Sequence, residues 1–200
     1  MCGIFGIAYS KSNNEEINKV DLKLLSNNMH HRGPDDESFH ISEKFGFGMR
    51  RLSIIDLESG NQPFYSSDKE IILIFNGEIY NYKTLKEEMI LKGYKFRSNS
   101  DVEVLVYLYQ EYGHKCIEHI NGMFAFALID TNKEILWLCR DRIGIKPLYY
   151  FSNDKKFIFS SELSGLAKLV DANISKDSIL EYLAYSYIPA PNSIYSEIKK

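Results

Sequence analysis

The chain has 200 residues, enough for one substantial domain with a core of its own. Hydrophobic residues make up 44% and charged residues 26%, and a formal net charge of −3 leaves no basic footprint for nucleic acid or an anionic membrane. No apolar run approaches the ~18 residues of a membrane span and no basic segment precedes an apolar one at the start, so neither a membrane helix nor a secretory signal is expected, and the expected compartment is the cytoplasm.

In chain order, residues 3–9 (GIFGIAY) read as a short buried strand with Cys2 at its head. Residues 17–30 carry Ile17, Val20, Leu24 and Leu25 at helical spacing, and His31 to Asp36 form a polar, turn-forming break. Residues 45–55 look like strand, and Gly60 to Pro63 like loop. The apolar run Ile71 to Phe75 fits a strand buried on both faces. Asn76-Gly77 directly after it predicts a tight hairpin turn.

Helices are predicted over 83–92, stopped by Gly93, and over 101–112, where Ser100 and Glu103 have the spacing of a capping box. Two antiparallel hairpins follow, one turning at Asp130 to Glu134 and one at Ser152 to Lys156. Residues 162–169 and 175–184 are further helices. Helices between runs of hairpins predict an α+β layered domain rather than a parallel βαβ fold.

Three cysteines form neither a disulfide framework nor a metal-ligand spacing. Cys116 and Cys139 read as small buried hydrophobes, and a metal site through His30, His31 and Cys2 lacks further ligands. Cys2 differs because removing Met1 would place a free α-amine on the same residue as the thiol. Reference pKa values of roughly 7.7–8.0 for such an amine and about 8.5 for a thiol suit proton exchange near neutrality, with the amine as general base. Taken alone, Cys2 reads first as a small apolar residue that starts a strand.

Asn76 and Gly77 carry a second reading beside the turn. A side-chain amide and a glycine N–H aimed at one point make an oxyanion hole, in which one donor is worth ~2.7–4 kcal/mol of transition-state stabilisation. An amino-acid substrate would also need a cation for its carboxylate and an anion for its ammonium. Arg51 and Asp101 can serve, although Arg50 is equally available on charge and Asp101 equally suits the first turn of its helix.

These segments together resemble the glutaminase domain of class II glutamine amidotransferases, the branch with an N-terminal cysteine nucleophile. Within that class they are most similar to the amino-terminal half of glutamine-hydrolysing asparagine synthetases. The matching stretches run in order: MCGIFG at 1–6, HRGPD at 31–35, RLSIID at 51–56, FNGEIYN at 75–81 and SDVEV at 100–104. GMFAFA at 122–127, RDRIGIKPLY at 140–149 and SEL at 161–163 complete the set.

The resemblance implies a four-layer αββα sandwich of the N-terminal-nucleophile hydrolase type. It implies Cys2 as nucleophile, Asn76 and Gly77 as the oxyanion hole, and a glutamine site formed by Arg51, Leu52, Ser53, Ile54, Ile55, Glu78 and Asp101 with them. Arg32 and the RDRIGIKP stretch look structural or interface-forming. Glutamine would be hydrolysed to glutamate and ammonia, the ammonia serving asparagine synthesis in a synthetase domain of the same chain. No metal or cofactor is implied for residues 1–185, and ATP and Mg belong to the synthetase domain.

No Gly-rich, serine-containing pyrophosphate loop occurs, and residues 186–200 resemble the connector into that domain, so the resemblance reads the chain as a fragment or truncated form. It also allows a homodimer. Two alternatives remain: the same glutaminase serving a sugar or cell-surface biosynthetic acceptor, and a non-catalytic regulatory module. Glucosamine-phosphate synthases and phosphoribosyl-pyrophosphate amidotransferases fit the RLSIID and RDRIGIKPLYY wording less well. Decay at Cys2, Arg51, Asn76, Gly77 or Asp101 would mark the regulatory module, and all five are intact.

Overall fold

A computed structural model describes residues 2–52 and 62–200. Two sheets carry the fold. The first joins β1 (Gly3–Tyr9), β2 (Asp36–Ile41), β3 (Phe45–Arg51), β8 (Tyr149–Ser152), β9 (Lys156–Ser160) and β10 (Ile198–Lys199), in the order β10-β8-β9-β1-β3-β2. The second joins β4 (Phe64–Tyr65), β5 (Ile71–Ile79), β6 (Gly122–Asp130) and β7 (Ile135–Arg140), in chain order. Every paired strand is antiparallel.

Side chains alternate across a strand, so each strand feeds two layers. On β5, Ile72 and Ile74 point into the space between the sheets, whereas Ile71, Leu73 and Phe75 point away. On β6 the inter-sheet positions are Ala125, Ala127 and Ile129, and the outer ones Phe124, Phe126 and Leu128. Small alanines at the inter-sheet positions let the sheets approach, while the bulky outer residues meet helices. These are α2 (Tyr82–Leu91) and α3 (Asp101–Tyr112), which cover the second sheet through Leu85, Met89, Leu105 and Leu108.

The outer face of the first sheet, with Phe5, Ile7 and Ile158, is covered by Leu22 and Leu25 of α1 (Lys19–Asn27) and Leu166 of α4 (Leu163–Leu169). The layers therefore run helix, sheet, sheet, helix: the expected αββα sandwich. α5 (Lys176–Tyr185) lies with the C-terminal segment, where Asn192 Nδ2 donates to Glu181 at 3.0 Å. Within residues 186–200, β10 pairs with β8 and Ile198 is fully buried.

The helices and both late hairpins match the sequence expectation to within one or two residues at most ends. Three expectations need correction. Asn76-Gly77 is not a turn: β5 runs straight through it, with Asn76 opposite Ala125 and Gly77 opposite Phe124. A Cβ on Gly77 would lie 2.3 Å from Met123 O, so the glycine answers to the neighbouring strand rather than to a bend.

The capping box is half-formed. Ser100 Oγ accepts from Val102 N–H at 3.2 Å, but buried Glu103 turns away and accepts from Arg97 N–H and Ser98 N–H at 2.9 and 2.8 Å. The strand expected over 45–55 ends at Arg51 in the described part, and Ser53 to Ile55 lie outside the described residues. The break from His31 holds as far as Asp35, and β2, which was not expected, starts at Asp36 as the edge strand beside β3.

Candidate active site

A cavity of about 470 Å³ sits at one end of the inter-sheet layer. Strand parity explains what lines it. Cys2 shares the inward face of Ile4, Arg51 that of Met49, and Asn76 that of Ile74, each at the last inward position before the layer ends. Cys2, Arg51, Leu52, Asn76, Gly77, Glu78 and Asp101 all line this one cavity, although the sequence scatters them over a hundred residues.

Cys2 is partly buried, and its thiol donates to Leu52 O at 3.8 Å. Its strand is clamped just downstream: Ile4 N–H donates to Ser161 Oγ at 3.0 Å, and Ser161 N–H donates to Ile4 O at 2.8 Å. A Cβ on Gly3 would meet Met29 Sδ at 2.8 Å and Arg32 Cδ at 3.2 Å. Gly3 thus allows the end of α1 and the following turn to press on the opposite face, where Arg32 also pairs with Glu162.

Asn76 is 2% exposed, and its Nδ2 is the buried side-chain polar atom that lacks a hydrogen-bond partner among the described residues. Leaving such a donor unmade costs about 1–3 kcal/mol, so a fold that keeps one facing a cavity holds a site ready for an acceptor. Gly77 follows it along the same wall.

The charged wall resolves the choice between adjacent arginines. Arg50 points outward, its Nη2 at 3.1 Å from Glu37 Oε1 and its Nε donating to Ser26 Oγ at 2.9 Å. Arg51 points inward and is 7% exposed. Asp101, at the first position of α3, accepts from Ile79 N–H at 3.0 Å. Burial raises its carboxyl above the ordinary range, and the nearby Glu78 carboxylate adds to the rise. Two cations, Arg51 and Lys146, and two carboxylates, Glu78 and Asp101, suit a zwitterionic guest.

Gln62, Met123, Ile145 and Lys146, none of them expected at the site, also line the cavity; Ile145 and Lys146 belong to the RDRIGIKP stretch expected to be structural or interface-forming. Lys146 and Ile145 arrive on the loop after β7. There the buried Asp141 carboxylate accepts from the N–H groups of Phe124, Ile145 and Lys146 at 3.2, 2.8 and 3.0 Å. Arg140 closes the loop by donating to Gly144 O and Lys146 O, both at 2.7 Å. The one signal in the sequence was a lysine set among apolar residues in IGIKPLYY.

The other thiols lie elsewhere. Cys116 is fully buried and Cys139 partly so, and burial pushes them up to about 12 and about 11. Among the described residues no group of three or more His, Cys, Asp and Glu side chains is placed to hold a metal ion. None of the helices there is long and apolar enough to cross a membrane.

Comparison with known proteins agrees with this architecture. The family model described as a glutamine amidotransferase domain matches residues 1–200. The chain is 39% identical over 202 residues to asparagine synthetase [glutamine-hydrolyzing] 1 of Bacillus subtilis, covering all of this chain and 32% of that protein. It is 38% identical to putative asparagine synthetase [glutamine-hydrolyzing] 2 of Methanocaldococcus jannaschii, covering 42% of it. A further match is asparagine synthetase [glutamine-hydrolyzing] 2 of Bacillus subtilis, 46% identical over 83% of this chain and 22% of the relative.

The chain thus spans between about a fifth and two fifths of the length of these relatives. Among solved structures, the glutamine phosphoribosylpyrophosphate amidotransferase from B. subtilis, complexed with ADP and GMP, superposes with a TM-score of 0.65. At 20% identity, over 82% of this chain and 43% of that one, the likeness is one of fold. With the family model matched from end to end, the chain belongs to the glutamine amidotransferase domain family.

Proposed function

We propose that the cavity hydrolyses the side-chain amide of glutamine, with Cys2 as nucleophile once Met1 has been removed. The observation that carries this reading is the buried Nδ2 of Asn76, without a partner among the described residues, in the cavity that also holds the Cys2 thiol. The α-amine of Cys2 takes the thiol proton, and the thiolate sulfur bonds to the amide carbon. The carbonyl oxygen becomes an oxyanion, which Asn76 Nδ2–H and Gly77 N–H stabilise. The C–N bond then breaks, the amine returns its proton to the leaving nitrogen, and ammonia departs. Water cleaves the remaining γ-glutamyl thioester to glutamate and restores the thiol.

Arg51 holds the α-carboxylate in this scheme, while Asp101 and Glu78 hold the α-ammonium. No metal or cofactor takes part in these steps. The acceptor of the ammonia is aspartate, activated by ATP and magnesium in a synthetase domain of the same chain. The names of the relatives support the asparagine branch, and their greater length leaves room for such a domain. The cytoplasm is the compartment this chemistry suits.

Intact mass combined with glutamate release from glutamine tests the reading. Wild-type chain lacking Met1 should release glutamate, and Cys2→Ala should not. Full activity in Cys2→Ala would sink the mechanism, and equal activity with Met1 retained would remove the α-amine from its role as base.

A further inference from the structure

Along an antiparallel strand the N–H and C=O of one residue point to one edge and those of the next residue to the other. On β5 the odd positions use the outer edge. Ile71 N–H donates to Ser66 Oγ at 3.0 Å and Ser66 N–H to Ile71 O at 2.9 Å. Leu73 lies opposite Phe64 of β4, and Ile79 N–H reaches Asp101 at 3.0 Å. The even side belongs to β6, as Tyr80 N–H shows by donating across to Asn121 O at 2.8 Å.

Continuing the β4 register from the Phe64–Leu73 pair puts residue 63 opposite Ile74 and residue 62 opposite Phe75. Pro63 has no N–H to give, and opposite an even position none is needed. At 62 the side chain replaces the peptide. Phe75 N–H donates to Gln62 Oε1 at 2.6 Å, and Gln62 Nε2 donates to Phe75 O at 3.2 Å. Gly77 is the next odd residue. Its N–H therefore points to the same edge, between Gln62 and Asp101, into the cavity all three line.

We propose that Gln62 is a positioning residue for the two oxyanion donors, an inference that rests on the oxyanion reading of Asn76 and Gly77. Among the described residues, a side-chain amide completes the ladder at Phe75. It fixes the strand one residue before Asn76 and leaves the next outward N–H turned to the cavity. Gln62 touches the donors only through the main chain of Phe75, so its loss should disturb the transition state more than the binding of glutamine.

The test compares Gln62→Ala, Gln62→Glu and Asn76→Ala in the full chain, measuring kcat and KM for glutamine and the melting temperature. A displacement of the donors by an ångström or less should lower kcat about ten- to a hundredfold in Gln62→Ala, with KM within about twofold. Gln62→Glu keeps the shape and the acceptor for Phe75 N–H but loses the other bond, so it should fold and lose less kcat. Unchanged kcat in Gln62→Glu and Gln62→Ala, or a raised KM with unchanged kcat, would overturn the proposal. If Gln62→Ala does not fold, wild-type kcat in Gln62→Glu overturns it alone. The Asn76→Ala arm separates the two claims: wild-type kcat there removes the oxyanion reading itself, whereas a loss there without one at Gln62 removes only the role of Gln62.

Discussion

The main-chain N–H of Ile79 donates to Asp101 Oδ2 at 3.0 Å, fastening the acid that opens α3 to the last residue of β5. The cavity wall that carries Asp101 and the proposed oxyanion strand are therefore one mechanical unit. Burial raises the Asp101 carboxyl above its ordinary 3.8, the Ile79 N–H pulls against that rise, and Glu78 adds to it.

Asp101→Asn should raise the KM for glutamine about ten- to a hundredfold, the worth of a charge-assisted hydrogen bond of ~1.5–3 kcal/mol, with a smaller change in kcat. The stability effect has the opposite sense. A carboxyl whose folded pKa is raised holds its proton more tightly when folded, so its contribution is complete below 3.8 and is lost as pH rises through the raised value. At pH 7 the asparagine variant should melt no lower than wild type. In wild type, KM should climb on acidification at a pH above that expected for an exposed aspartate. A variant with unchanged KM would free Asp101 from the ammonium site.

Asn76→Ala separates function from stability more sharply. The side-chain amide donates to no group among the described residues, so removing it deletes a buried unpaired polar atom rather than a bond. Kinetic loss should be ~10²–10³-fold in kcat with KM nearly unchanged. Thermal unfolding should show a melting temperature equal to or above wild type. A large drop in melting temperature would mean that Asn76 serves the core.

Gly77→Ala should damage both. The added methyl carbon would lie 2.3 Å from Met123 O and 2.7 Å from Phe124 Cα, and both are main chain held in the β5–β6 ladder. Overpacking of this kind costs about 1–3 kcal/mol or more, and the strand must move at the residue whose N–H faces the cavity. Denaturant unfolding and glutamate release should fall together. A folded variant with full activity would show that the strand can shift without displacing the donors.

The same glycine shows where local reasoning ended. Asn-Gly after an apolar run is a strong hairpin signal, yet it was overridden by strand β6, whose Phe124 lies 47 residues on and whose main chain occupies the space of a Gly77 Cβ. Elements governed by local chemistry were legible. Ser100 caps α3, and the Asp130–Glu134 and Ser152–Lys156 turns separate strands of matching polarity. β2 was missed because DESFHI is a partly exposed edge strand with little apolar alternation. Charge alone leaves Arg50 and Arg51 equal and the resemblance names Arg51; the physical reason lies in the sheet, whose parity sends one side chain to Glu37 and the other to the cavity. Gln62 left no local trace, because its partner is chosen by the β4–β5 register.

Cysteine labelling should be selective. Cys116 is inaccessible, and burial pushes its thiol up to about 12 and that of Cys139 up to about 11. Only the thiolate reacts, so a brief iodoacetamide pulse at pH 8 should modify Cys2 and leave the other two until the chain is unfolded. Peptide mapping reads the result, and first labelling at Cys139 would contradict it.

Ser161 offers the most discriminating test of how Cys2 is held. Its Oγ accepts the Ile4 N–H at 3.0 Å while its own N–H donates to Ile4 O, two residues from the thiol and on the same strand. Ser161→Ala leaves the buried Ile4 N–H without its acceptor, at a cost of ~1–3 kcal/mol. It also loosens the segment that aims Cys2, so kcat should fall with little change in KM. Ser160→Ala is the control. Ser160 is equally buried, but its hydroxyl serves Glu162 N–H and Met29 Sδ, on the outer face of the sheet. It should lose stability without a matching loss of kcat. Equal kinetic losses in the two variants would mean that the integrity of the sheet, rather than the Ser161–Ile4 clamp, sets the position of the nucleophile.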